Sequence, residues 1–103
     1  MATDLDYVEF VCEQIKGDWS IRYKKMFGEY IIYLNDKPVL LVCDNTVYVK
    51  MINEISHLMK DAATDFPYEG AKEHYILDIE NKELANNVLK ILKEITPLPK
   101  KKH

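Results

Sequence analysis

The pattern of apolar positions between residues 26 and 50 predicts three short β-strands joined by two tight turns. Apolar runs cover 30–34 and 38–42, and 46–50 alternates between valine and polar or aromatic residues. β-Branched and aromatic residues predominate in all three runs, which suits a pleated and packed surface. The first two runs end in Asn-Asp and Asp-Asn pairs, which tolerate the left-handed backbone that hairpin turns require. The sequence therefore predicts a meander at the centre of the chain.

A helical pattern precedes this meander, with apolar residues at the spacing that places them on one side of a helix. Its stripe consists of Leu5, Val8, Val11, Cys12 and Ile15. The first helix is predicted to run from about Asp4 to about Lys16, with Thr3 as its N-cap and Gly17 as a left-handed C-cap. Residues 18–25 then alternate between apolar and polar, and predict a half-exposed strand with a basic outer face.

Two more helices and one more strand are predicted after the meander. Residues 50–63 turn helical again, with Asn53 as a candidate cap, and 64–71 form a loop by their Pro and Gly. Residues 74–79 alternate and predict a last strand. Asn81 is predicted to cap a closing helix, whose stripe consists of Leu84, Val88, Ile91, Leu92 and Ile95.

This order of elements predicts an α+β fold, with an antiparallel β-meander of about five strands flanked by N-terminal, middle and C-terminal helices. One domain is predicted over residues 1–97, followed by a basic disordered tail over 98–103. The second and third strands are apolar on both faces, which is typical of strands covered twice. Either two helices lie on opposite sides of the sheet, or a second copy of the chain covers one face.

Composition narrows the class of protein without naming a function. The chain has 103 residues, of which 48% are hydrophobic and 30% charged, as expected of one globular domain. A net charge of −3 disfavours a dedicated nucleic-acid binder, which usually carries a basic balance, but leaves room for a local basic patch. There is no signal-peptide pattern, no membrane-length apolar run, and only two isolated cysteines, so a cytoplasmic protein is expected.

No catalytic or metal-binding motif emerges from the chemically reactive residues. His57, His74 and His103 lack the spacing of a ligand set, and no metal or cofactor is expected. Cys43 with His74 would make a nucleophile and base if they converged in space, whereas a packed strand cysteine is the simpler interpretation. The serines lack a nucleophile elbow and no Gly-rich phosphate loop exists, so the chain is predicted not to be an enzyme.

Basic residues interleaved with aromatics are the one candidate for a binding surface. The set comprises Arg22, Lys24, Lys25, Lys50 and Lys72, beside Tyr23 and Tyr48. Such a set suits contact with nucleic acid or an acidic protein, and it also suits a sheet face that lysines keep soluble. Phe66 and Tyr68 lie in the predicted loop and are expected to anchor it to the body or to a partner.

The central stretch resembles the N-terminal domain of the TfoX/Sxy family. The resemblance rests on Met26-Phe27-Gly28 after a lysine, on the Ile32-Tyr33 and Leu40–Val42 strands, on Asp44 with Val47–Lys50, and on Phe66-Pro67-Tyr68. Glu29 replaces the second glycine of the family's MFGG, and His74–Leu77 replaces its Met-x-Tyr strand. The resemblance implies a stand-alone N-terminal domain, without the further C-terminal domain of family members that regulate natural competence.

The resemblance also implies a mode of action, which is regulation of transcription through a protein partner such as another regulator or the transcription machinery. The candidate interaction surface comprises Arg22, Lys24, Lys25, Phe27, Gly28, Glu29, Phe66 and Tyr68. Direct DNA binding through the same basic face is the alternative, and a small-ligand or enzymatic pocket is a further one. A homodimer stays open.

Overall fold

A computed structural model describes residues 3–26 and 29–98, which form three helices and one six-stranded antiparallel sheet. The helices are α1 (Leu5–Gln14), α2 (Asn53–Ser56) and α3 (Lys82–Ile95). The strands are β1 (Ile21–Met26), β2 (Glu29–Leu34), β3 (Lys37–Cys43), β4 (Thr46–Lys50), β5 (Thr64–Asp65) and β6 (His74–Ile76). Their order across the sheet is β1-β2-β3-β4-β6-β5, with β1 and β5 at the edges. The predicted α+β class and the meander are confirmed.

Both hairpin turns of the meander have the predicted left-handed backbone. Asn35 and Asp36 have φ of 49° and 66°, and Asp44 and Asn45 have φ of 52° and 55°. Two successive residues with positive φ make the turn whose twist matches the flanking strands. These short turns set the β2–β3 and β3–β4 pairings, with one register shift between Ile32 and Tyr33.

The first helix begins and ends differently from the prediction. Its N-cap is Asp4. Thr3 does not cap the helix, because its buried hydroxyl instead donates to Glu29 Oε1 on β2 at 2.8 Å. Its C-cap is Ile15, and Gly17 does not have a positive φ. Gly17 instead makes room for Trp19, since a Cβ at this position would lie 2.9 Å from the indole ring.

The second half of the chain departs further from the prediction. The middle helix is only four residues long, is preceded by Ile52 as N-cap rather than by Asn53, and continues into turns. The segment predicted as a loop contains β5, which pairs with β6 and brings the number of strands from the predicted five to six. Only Leu98 of the predicted tail lies within the described residues, and it is exposed.

One face of the sheet carries the hydrophobic core. The buried residues of all three helices join one cluster with the inward side chains of β2, β3 and β4. The helices, with the C-cap of α1, contribute Val8, Val11, Ile15, Ile55, Ala85, Val88, Leu89 and Leu92, and the strands contribute Tyr30, Ile32, Leu34, Leu40, Val42, Val47 and Val49. The described helices therefore cover one face only, and they leave the opposite face of the sheet without a layer of its own.

The predicted cap of α3 is confirmed, and its contribution can be measured. Asn81 Oδ1 accepts from the backbone N–H of Leu84 at 3.1 Å, which satisfies one of the free donors of the first turn. Asn81→Ala is expected to lower the free energy of unfolding by about 1 kcal/mol in chemical denaturation. Asn87→Ala is the matched control, because Asn87 is exposed inside the same helix, where alanine has the better propensity. An equal loss in both variants would contradict the capping role.

Candidate interaction face

The sheet face opposite the helices, called the open face below, carries a row of apolar side chains across four strands. Ile31, Leu41, Tyr48 and Ile76 are consecutive cross-strand partners, from β2 through β3 and β4 to β6. Cross-strand partners point to the same face of a sheet, so the four side chains form one continuous row. Tyr48 is 7% exposed, and the other three are half-buried. Within 3–26 and 29–98 no helix covers this row.

Charged residues flank the apolar row at both edges of the open face. Lys24 pairs with Ile31 and extends the row onto β1, and Arg22 lies two residues before it, opposite Tyr33. The Arg22 guanidinium lies 4.8 Å from the centre of the Tyr33 ring, and its Nε donates to Asp36 at 2.9 Å. Both partners of this ion pair are exposed, so the pair contributes little to stability and leaves Arg22 open to other contacts.

The β5 edge of the same face is acidic. Asp65 pairs with His74, which in turn pairs with Lys50 on β4. The pKa of the Tyr48 hydroxyl is raised, first by burial and then by the Asp65 carboxylate, so this carboxylate acts on the middle of the open face. The Tyr48 ring also lies edge-on to the His74 ring, with centroids 6.4 Å apart. The open face is therefore apolar at its centre, cationic at the β1 edge and anionic at the β5 edge.

The structure separates the residues that the sequence proposed for the β1 side of the interaction surface. Arg22 and Lys24 lie on the open face, whereas Lys25 pairs with Tyr30 and points to the helix side of the sheet. The Glu29 carboxylate accepts from the Thr3 hydroxyl and from the backbone N–H of Asp44 at 3.3 Å, so it holds the N-terminal segment against the sheet. Phe27 and Gly28 lie outside the described residues.

The aromatic loop lies at the other edge of the sheet. Phe66 and Tyr68 follow β5 and are each 57% exposed, while Pro67 between them is buried. The proline therefore anchors this loop. The two aromatics were expected to pack against the body or a partner; they do not pack against the body, and contact with a partner stays a prediction. The outer strands β1 and β5 are five strand spacings apart, roughly 24 Å, so the proposed residues form two groups with the open face between them.

The apolar row was not among the residues that sequence reasoning selected, although a signal for it was present. The β2 and β3 runs are apolar on both faces, which predicts cover on both sides. The structure supplies helices for one side only. Ile31 and Leu41 are the outward members of those runs, and the β4–β6 pairing, which joins segments far apart in sequence, adds Ile76.

Cys43 and His74 do not form a nucleophile and base. Their partners on β4 are Thr46 and Lys50, so four residues and two strand spacings separate them, and their Cα atoms lie roughly 16 Å apart. Burial, with the nearby Glu29 carboxylate, raises the pKa of the Cys43 thiol to about 12, the opposite of an activated thiolate.

Neither a metal site nor a membrane-spanning segment is found in the described parts of the chain. No group of three or more His, Cys, Asp or Glu residues among 3–26 and 29–98 is placed to hold a metal ion. None of the three described helices has the length and apolar character needed to cross a membrane.

Comparison with known proteins finds one relative that covers nearly the whole chain. It is the "Uncharacterized 12.7 kDa protein in trpE 5′ region" of Spirochaeta aurantia, 31% identical over 102 residues, which are 97% of this chain and 89% of that protein. No family model matches the chain. No solved structure matches it either.

Proposed function

The chain belongs to the family of the Spirochaeta aurantia 12.7 kDa protein, and we propose that it is a small regulatory domain of the TfoX N-terminal type that binds another protein in the cytoplasm. The open face is the binding surface in this proposal. The domain contributes contacts and no catalysis.

The single observation that carries this proposal is the apolar row of Ile31, Leu41, Tyr48 and Ile76, which no described helix covers and in which all members but Tyr48 are only half-buried. A sheet in a domain of this kind normally buries the apolar side chains of its central strands. A contiguous apolar patch with a polar rim is typical of a surface that another protein covers. The flanking Arg22 and the exposed Tyr68 are residue types that often supply much of the binding energy at such surfaces, and the exposed Phe66 is of a type enriched in them.

The charges on the open face favour a protein partner over DNA. Arg22, Lys24 and Lys50 share this face with Glu29 and Asp65. Phosphate backbones are bound by surfaces of one sign, since acidic groups beside the basic ones repel them. A face with both signs around an apolar centre instead suits a protein surface of complementary charge.

The test is affinity capture of the tagged full chain from its own cell lysate, with and without nuclease, read by mass spectrometry. Reversing the two basic residues of the open face, Arg22→Glu with Lys24→Glu, is expected to reduce capture of the partner about tenfold, because both charges lie at the rim of the binding surface. Lys25→Glu is the matched control on the same strand, since Lys25 points to the other side of the sheet. It is expected to leave capture unchanged.

Three results would count against this proposal. Capture unchanged by the double reversal would remove the open face from the interaction. An equal loss in the Lys25→Glu control would indicate a general charge effect. Loss of every partner on nuclease treatment, with steep salt dependence in a DNA shift assay, would replace the protein partner with nucleic acid.

A further inference from the structure

We propose that the open face binds a second copy of the same chain, in a two-fold symmetric dimer whose sheets pack face to face, with Arg22 of each copy beside Asp65 of the other. This inference rests on the proposed function of the open face as a protein-binding surface and names its partner. Three features of the face point to a second copy: its apolar row is symmetric about the sheet centre, its two edges carry opposite charges, and the two cross-strand rows through Ile31 and Arg22 bring no like charges together.

The apolar row is centred on the sheet. Its four members occupy β2, β3, β4 and β6, the four inner strands of the six. A two-fold axis that runs along the strands between β3 and β4 places β2 of one copy over β6 of the other, and β3 over β4. Ile31 then meets Ile76, and Leu41 meets Tyr48, so every apolar member of the row covers another.

The charged edges are complementary under the same rotation. Arg22 lies on β1, two residues along the strand from Lys24, which is level with the apolar row. On the other edge, Asp65 pairs with His74, which lies two residues along β6 from Ile76. Both displacements are in the same direction along the sheet. Arg22 and Asp65 therefore occupy opposite ends of one cross-strand row. The rotation places β1 over β5 and brings each Arg22 to an Asp65, so the symmetric dimer gains this contact twice.

The remaining positions of these rows bring no like charges together. Lys24 lies over Ala63, whose carbonyl accepts from Ile76 N–H at 2.8 Å at the end of β5. Lys50 lies over Pro38, the partner of Tyr33 on β3. Two sheets stacked about 10 Å apart with strands crossing at about 30° are a common packing of antiparallel sheets, and an axis close to the strand direction produces it.

The size of the face sets the strength of the dimer. The sheet is roughly 24 Å wide between its outer strands, and the five residues of β4 are roughly 17 Å long, which makes a flat footprint of about 400 Å² per copy before side-chain relief is added. The total of about 800 Å² for both copies lies below the range of stable specific interfaces and in that of weak, transient ones, so the dimer is expected to dissociate on dilution.

The first experiment is sedimentation equilibrium of the full chain from low micromolar to submillimolar concentration. The wild-type chain is expected to pass from monomer to dimer over this range. Leu41→Glu places a charge at the centre of the apolar row and is expected to weaken the dimer about a hundredfold. Leu5→Glu is the matched control, because Leu5 is exposed on α1, on the helix side of the molecule, and is expected to leave the dimer unchanged.

A charge exchange tests the pairing without a change in the apolar row. Arg22→Asp and Asp65→Arg are each expected to weaken the dimer about tenfold, since each is felt at two symmetric contacts, and the double variant is expected to recover most of the loss. Asp36→Asn removes only the partner of Arg22 within its own chain and is expected to leave the dimer intact. The exchange tests the dimer even where Leu41→Glu fails to fold.

The outcomes separate this inference from the proposed function. A wild-type chain that stays monomeric at every concentration overturns the dimer, as does a dimer that is insensitive to Leu41→Glu or a double exchange without recovery. If the chain is monomeric and the Arg22 and Lys24 reversal still abolishes capture of another protein, the open face has a different occupant and the proposed function stands. If the chain is monomeric and that reversal changes nothing, both fail.

Discussion

Ile32→Ala is expected to lower the free energy of unfolding by about 3 kcal/mol, and Ile31→Ala by about 1 kcal/mol or less. The two residues are neighbours on β2 with the same side chain, and they differ only in the face to which they point. Ile32 is fully buried beneath the helices, whereas Ile31 lies half-buried on the open face. Chemical denaturation, followed by circular dichroism at concentrations that keep the chain monomeric, measures both values.

The physical reason is the cavity. Removal of three carbons from Ile32 leaves a void within the core cluster, and a close-packed interior closes over such a void only in part. Ile31→Ala removes the same atoms from a place that solvent reaches, so no void is enclosed. Equal losses in the two variants would mean that both faces of β2 are covered, which would contradict the open face.

Alkaline pH is expected to destabilise the protein through Cys43. Burial, with Glu29 and Asp44 adding to it, raises the pKa of this thiol to about 12 from an ordinary value of 9.0. The folded chain therefore keeps a proton that the unfolded chain releases. This contribution to stability is fully present below pH 9, and it is lost as the pH rises towards 12, at about 1.4 kcal/mol per pH unit.

The measurement is the free energy of unfolding between pH 8 and pH 11 for the wild type and for Cys43→Ala, in the presence of a reductant. Cys43→Ala starts lower because it leaves a cavity, and its stability is expected to fall less steeply with pH, so the two curves approach each other. Raised groups that Cys43 does not influence, such as the Tyr7 hydroxyl, titrate in both proteins and cancel in the difference. The Tyr48 hydroxyl does not cancel fully, because the Cys43 thiolate is one of the groups that raise its pKa. Parallel curves would show that the Cys43 thiol ionises with its ordinary pKa.

The open face and the alkaline behaviour of Cys43 both follow from how unevenly the chain covers its sheet. The helices are enough for one side of a six-stranded sheet. On the other side, Cys43 is buried at the end of the sheet where Glu29 holds Thr3, and no described helix covers the middle of that side. A second copy would supply the missing layer and would bury Ile31, Leu41 and Ile76.

The elements predicted well from the sequence are those set by nearby residues. The two Asn/Asp turns adopt a positive φ because of the preferences of their own residues, and Asn81 caps the helix that begins beside it. The alternation in β4 is a property of the strand alone, since successive side chains point to opposite faces. In each case the conformation depends on residues within a few positions of one another, so the sequence is enough to predict it.

The candidate site required contacts between distant segments. Thr3 leaves its capping position because Glu29, 26 residues away, accepts its hydroxyl. The two residues of β5 become a strand only because β6 pairs with them, and the predicted middle helix is cut to four residues. Ile76 joins the apolar row by pairing with Tyr48, 28 positions earlier.

The sequence by itself determined that β2 and β3 are apolar on both sides, and so that each of their faces favours cover. Only the tertiary structure decided which face the helices take, because that choice depends on the summed burial of three helices against one sheet. Hydrophobic burial has no direction of its own, and a residue pattern of period two does not distinguish one side from the other. The open face is the face of the sheet on which the helices do not pack.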